Sequence, residues 1–245
     1  MCPLRALRWG TLVALSAAVA LAAETAPPLP APIQEVLDRV AEARQKVERL
    51  AADVTQLRVV EALDIKEELR GTMKFQMPRL LRLELKSEEK EQERVYIIGR
   101  RYAWIYRPRQ KQAERFTLAD VRAKAEEPEN PFEYGLAVDL GLLRQRYEFR
   151  AKPDGRIGER TCAVLELVPR EAEQKAAPYA KLEFWIDREL WLPIRVVQHK
   201  SDGEIVETFT LSNIVLNPKW SGDLFEFSPP RDVDVIEHEA PRRAG

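Results

Sequence analysis

The sequence is poor in the residue types that carry most metal and nucleophile chemistry. Of 245 residues, two are Cys and two are His. Two Cys make neither a disulfide framework nor a four-ligand zinc site. His199 sits near a strand end beside Lys200 and His238 lies in the tail, so both read as solvated side chains. There is no excess of positive charge: 39 basic residues face 40 acidic ones. Nucleic-acid binding therefore lacks its electrostatic footprint. The ten glycines build neither a P-loop nor a dinucleotide fingerprint. The stretch Gly155-Arg156-Ile157-Gly158 is too short and follows a turn. H-E-x-x-H and G-x-S-x-G are missing as well. Glu88-Glu89-Lys90-Glu91 reads as a solvated hairpin end, because like charges so close are costly to bury. No catalytic, cofactor or metal pattern stands out, so no cofactor and no metal are expected; paired carboxylates for glycoside hydrolysis stay open, because 40 acidic residues offer too many pairs to single one out.

What is present is a well-charged globular composition, 45% hydrophobic and 32% charged, which argues against disorder and against a polytopic membrane protein. Residues 1–22 read as a signal peptide. Arg5 and Arg8 supply the positive end, Thr11 to Ala23 the apolar run, and Ala20-Leu21-Ala22 the cleavage pattern. The run is shorter than the ~20 residues of a membrane span, and a retained signal anchor is the competing reading. Cys2 precedes the apolar run and no Cys stands near Ala22, so no lipid anchor is expected. Cleavage would leave Cys162 as the only thiol, in the alternating run Thr161 to Leu165, where a small core residue is the expected role. The mature chain is expected to be a soluble, exported monomer.

Residues 23–32 form a Pro-rich spacer. Residues 33–237 read as one domain and 238–245 as a disordered tail. Ile33, Val36, Leu37, Val40, Val47, Leu50, Val54 and Leu57, with Ala43, recur at spacings that predict one amphipathic helix. A coiled coil is the alternative, though roughly three heptads are short for one. Strand patterns follow: Gly71 to Met77, then Leu81, Leu83 and Leu85. Val95 to Ile98 and Tyr102 to Tyr106 flank the turn Gly99-Arg100-Arg101. Pro153-Asp154-Gly155 is a strong turn signal. Residues 160–168, 182–186, 192–199 and 204–214 continue the pattern, with a hairpin at Asp202-Gly203 and a last strand over Leu224 to Phe227. Residues 117–146 read as a loop with short helices. The fold class is α+β, mainly β: an antiparallel meander of about nine to eleven strands, with an N-terminal helix and a helical insert. If helix and insert cover one face, the strands line it with apolar side chains. A packed core and a lipid cavity look alike at this level.

Four blocks carry a resemblance. They are Gly71-Thr-Met73-Lys-Phe75-Gln-Met77-Pro78-Arg-Leu80-Leu81-Arg82, then Gly99 to Gln112 with Trp104, Tyr106 and Pro108. The third is Trp185-Ile186-Asp187 to Leu192-Pro193 with Asp202-Gly203, and the fourth is Leu224-Phe225-Glu-Phe227-Ser-Pro229-Pro230 to Val235. In order and spacing they resemble the periplasmic outer-membrane lipoprotein carrier LolA and its relatives, over about residues 33–237. The resemblance implies a curved antiparallel half-barrel with a helical lid. It implies a non-enzymatic chaperone that shields the acyl chains of lipoproteins or related lipids across the periplasm. Its partners would be an inner-membrane ABC transporter and an outer-membrane receptor. Under it, Phe75, Leu81, Leu83, Leu85, Trp104, Leu182, Phe184, Ile186, Val196 and Phe209 form the cavity wall. Phe132, Leu136, Val138, Leu140 and Leu142 form the lid. The chain departs from the carriers at Met77, where they place an Arg that bonds to the lid, so that latch is not expected here. Other relatives bind different lipids or sense lipoprotein stress while holding an anti-sigma factor. A periplasmic interaction or lipid-sensing module is thus the alternative function. Sensors carry a second, C-terminal domain, for which 245 residues are expected to leave no room.

Overall fold

The computed structural model describes residues 29–87, 92–117, 140–174, 177–201, 203–220 and 222–238. The expected signal peptide, most of the expected spacer, the expected lid residues Phe132, Leu136 and Val138, and residues 239–245 lie outside the described residues. So do the side chains of Leu140 and Leu142.

Helix α1 (Ala31–Gln45) enters from Pro30 and buries Ile33, Val36, Leu37 and Val40 on one stripe. It stops well short of the expected helix. From Arg49 the chain is strand β1 (Arg49–Val60), with Leu50, Ala52 and Val54 buried on one face. A spacing of four residues fits both a helical turn and a pleat. The Val and Thr content of Val54, Thr55, Val59 and Val60 favours the strand.

The remaining strands are β2 (Ile65–Gln76), β3 (Leu80–Ser87), β4 (Gln92–Ile98), β5 (Tyr102–Arg107) and β6 (Gln112–Thr117). After a short helix α2 (Leu140–Arg146) come β7 (Tyr147–Ile157), β8 (Arg160–Pro169), β9 (Tyr179–Asp187), β10 (Pro193–Lys200), β11 (Ile205–Leu216) and β12 (Asp234–His238). All twelve form one open sheet in the order β12-β6-β5-β4-β3-β2-β1-β11-β10-β9-β8-β7. Two meanders, β1 to β6 and β7 to β11, are joined where β11 pairs antiparallel with β1. The parallel pairing of β12 on β6 extends one edge.

Two glycines mark where backbones touch. A Cβ at Gly71 would stand 1.7 Å from the Glu84 carbonyl oxygen on β3, and one at Gly99 would stand 2.5 Å from the Phe225 carbonyl oxygen. These glycines open the first two blocks because nothing larger fits there.

Further expectations need correction. Pro153-Asp154-Gly155 is not a turn. It lies inside β7 at a register shift opposite β8, and the turn falls at Gly158, whose φ is +59°. Turn-forming residues also build bulges, and here the Trp185 ring occupies the space a Cβ at Gly155 would need, 2.1 Å away. Leu224 to Phe227 is not a strand either; the last strand is β12. The two phenylalanines are plugs. Phe225 meets Trp220 edge-on at 6.0 Å, and Phe227 packs on Trp104 at 5.3 Å and Tyr106 at 5.1 Å. Finally, His238 ends β12, stacked on Phe116 at 4.3 Å with its ring 2.9 Å from Glu114; it is not a solvated tail residue. His199 is half-buried, and burial pushes its pKa down.

The segment 222–238 crosses the convex face of β3 to β6, covering Val95, Ile97, Trp104 and Ala113 with Phe227, Val233 and Val235. Arg82 donates to the Leu224 carbonyl at 3.4 Å and Lys111 pairs with Asp232 at 2.7 Å. Phe227→Ala removes two aromatic contacts as well as buried area. Its expected cost is about 2 kcal/mol, read as a lower melting temperature in a calorimetric scan.

Candidate functional site

Strand register decides which side chains share a face. Phe75 faces Leu81, Met73 faces Leu83 and Gly71 faces Leu85 across β2 and β3. On the other meander Phe209 faces Val196, Val196 faces Phe184, and Phe184 faces Leu165. Gln56 on β1 sits between Leu69 and Phe209 and joins the two halves. Nine of the ten expected wall residues therefore lie on one concave face. All nine are buried, from Leu182 at 0% exposure to Phe184 at 6%.

The exception is Trp104. Its cross-strand partner is Ile97, and Ile97 is paired with Arg82, so it belongs to the convex face under Phe227. The error is one register step: Ala103, not Trp104, continues the row of Leu81 and Ile98.

The concave face carries two apolar clusters. Over β7 to β10, helix α1 packs through Ile33, Val36, Leu37 and Val40 onto Phe149, Leu165, Leu182, Phe184, Ile186 and Val196. Over β11 and β1 to β5 the cluster of Met73, Phe75, Leu81, Leu83, Leu85 and Phe209 also takes in Leu192 and, partly buried, Ala43, Met77 and Leu190. The turn between β9 and β10 thus reaches over the wall. It is held by Asp187, 1% exposed, whose carboxylate accepts from Arg160 at 2.8 Å and from the backbone N–H groups of Glu189 and Leu190 at 2.8 and 2.7 Å. Burial pushes the Asp187 pKa up, but these three donors outweigh it and leave it below the ordinary value. The Trp-Ile-Asp-x-x-x-x-Leu-Pro block is this capped turn, with Trp191 at φ +52°.

At one end of the concave face the lining changes character. A pocket of about 360 Å³ is lined by Gln56, Arg58, Glu67, Leu69, Arg94, Lys200, Ile205 and Glu207. Arg58 lies 3.5 Å from Glu67 and 3.6 Å from Glu207. None of these charged residues was expected as a site. Their signal is the switch from apolar to charged along one face of a strand, as in Val54-Gln56-Arg58. It is ambiguous until register places the switches side by side. Among the described residues no group of His, Cys, Asp and Glu could hold a metal ion, and no helix is long and apolar enough to cross a membrane.

An open, curved, mainly β sheet with a helix laid on its apolar concave face agrees with the half-barrel that the resemblance to LolA-like carriers implies. More narrowly, the chain belongs to the MucB/RseB N-terminal domain family, whose model matches residues 80–232. An uncharacterized conserved protein from Thermus thermophilus shares the fold at TM-score 0.54 and 17% identity, covering 84% of this chain and 99% of that one. The MucA/MucB complex of Pseudomonas aeruginosa aligns at TM-score 0.46 and 17% identity, over 84% of this chain and 64% of the matched chain. A putative outer membrane lipoprotein-sorting protein domain from Vibrio parahaemolyticus aligns at TM-score 0.39 and 13% identity, over 77% and 94%. No curated protein matches the chain.

Proposed function

We propose that the protein is an exported acyl-chain carrier, holding the acyl chains of lipoproteins or related lipids against its concave face in the periplasm. The observation that carries this is the pair of apolar clusters on the concave face of the two meanders, roofed by α1 and the Leu190–Leu192 turn rather than by further strands. A roof made of side-chain packing can exchange its own contacts for those of a ligand. At about 0.8 kcal/mol per buried CH₂, an acyl chain of roughly sixteen carbons gains on the order of 10 kcal/mol. A carrier that kept all of it could not release its cargo, and displacing the roof reduces the net affinity. Residues 132–142 are part of this reading as a lid, with Met77 in place of a latching Arg. The donor and acceptor would be an ABC transporter and an outer-membrane receptor.

A second reading is a periplasmic module that binds a protein and uses lipid as regulator. The family match favours it, since MucB has been solved in complex with a periplasmic part of MucA. Such a module is most sensitive on its convex face, for instance at Arg82 or Trp185.

The test is native mass spectrometry of protein secreted to the periplasm and purified without detergent, before and after organic extraction. Bound diacyl lipid or acylated peptide is the expected result. A protein that is empty, and that refuses added lipopeptide and phospholipid, has a packed core and no carrier role. Leu83→Asp is a poor probe of binding, because Leu83 is 3% exposed and a carboxylate there costs several kcal/mol of folding.

A further inference from the structure

Gln198 is 0% exposed, and neither its Oε1 nor its Nε2 has a hydrogen-bond partner. Buried amides are almost always paired, and leaving one unpaired is costly. Its position is specific. One cross-strand row on the concave face reads Glu67, Arg58, Glu207, Gln198, Leu182, Leu167 over β2, β1, β11, β10, β9 and β8. Gln198 is where this row turns from charged to apolar. Along its own strand it stands between Val196 of the acyl wall and Lys200 of the polar pocket. In that pocket Arg58 lies between the two carboxylates, while Arg94 makes no ion pair with any described residue and Lys200, also without an ion pair among them, has its ammonium 4.9 Å over the Tyr179 ring. The lining holds three cations against two carboxylates.

We propose that this end of the concave face is a head-group site. It would take an amphiphile whose acyl chain is joined through an ester or amide to an anionic group. The chain lies along Val196, Phe209 and Phe184, the Gln198 amide pairs with the linkage, and Arg94 and Lys200 hold the anion. The inference rests on the acyl-binding reading and narrows it to anionic lipids.

The test compares binding of palmitoyl lysophosphatidylglycerol, palmitoyl lysophosphatidylcholine and hexadecanol by titration calorimetry. The proteins are wild type, Gln198→Leu and the double variant Arg94→Gln, Lys200→Gln. Wild type should prefer the anionic lipid, with an affinity that falls as salt rises. Gln198→Leu should bind both lysophospholipids about tenfold more weakly, the upper end for one hydrogen bond to a neutral partner. Its hexadecanol affinity should hold. Its empty form should melt higher than wild type, because an unpaired amide is gone; that shift is read without any ligand. The double variant should lose the preference for the anionic over the zwitterionic lipid. If wild type binds none of the three, the acyl-binding reading itself fails and takes this one with it. If wild type binds all three while both variants keep its affinities and its selectivity, the head-group site alone is wrong. Should Gln198→Leu misfold, the double variant, whose changes lie at half-buried pocket positions, decides by itself.

Discussion

Asp187→Ala is expected to lower the unfolding free energy by about 3 kcal/mol, the lower end for breaking a buried ion pair, because Asp187 is 1% exposed while Arg160 is 42% exposed. The loss is more than one salt bridge. The Asp187 carboxylate also satisfies two backbone donors of the turn that carries Leu190 and Leu192 over the concave wall. Asp187→Asn keeps an acceptor for those donors and loses the charge, so it should fall between Ala and wild type. The pH dependence has a definite sign. The folded pKa is depressed, so the contribution is fully present above the unfolded value of about 3.9. It is lost as pH falls through the lower, folded value. The stability gap between wild type and Asp187→Ala should therefore close under acid, measured by urea titration from neutral pH down to below pH 4. A gap unchanged across that range would mean the carboxylate's charge does not hold the turn.

Gly71→Ala is expected to be at least as severe, about 3 kcal/mol or more and beyond the usual range for overpacking. The added methyl would lie 1.7 Å from the Glu84 carbonyl oxygen. That atom belongs to the backbone of a paired strand, so relief requires β2 and β3 to separate. These strands carry Met73, Phe75, Leu81, Leu83 and Leu85, so acyl binding should fall with stability. Gly158→Ala is the control. Nothing lies within 4 Å of a Cβ there, and only the positive φ is strained, at a cost of about 1 kcal/mol. Equal losses for the two would remove the close approach of β2 to β3 as the reason for the glycine.

Much of this architecture is legible as alternation. Leu81, Leu83 and Leu85, or Leu182, Phe184 and Ile186, declare a strand and one of its faces, and the start of α1 is declared by Ile33, Val36, Leu37 and Val40. The failures have physical causes. Leu50 and Val54 satisfy both a 3.6-residue and a 2-residue period, so helix and strand were not separable there. Pro153-Asp154-Gly155 has the chemistry of a turn and the position of a bulge, which only pairing with β8 reveals. Trp104 is apolar on a strand with apolar residues on both faces, because the chain's own C-terminal segment covers the second face. The head-group row is the plainest case. Arg58, Glu67, Glu207 and Gln198 are ordinary polar residues within four separate strands, and become one line only through register.

The most direct test of acyl binding on the concave face is photo-crosslinking with a palmitoyl probe carrying a diazirine near the chain end, followed by peptide mapping of labelled sites. Labels are expected on β1 to β3 and β8 to β11, at concave residues such as Met73, Leu83, Phe184 and Phe209, and competition by unlabelled lipid should remove them. Labels confined to the convex face, around Val95, Trp104 and Phe227, or no competable label at saturating probe, would contradict acyl binding at this site.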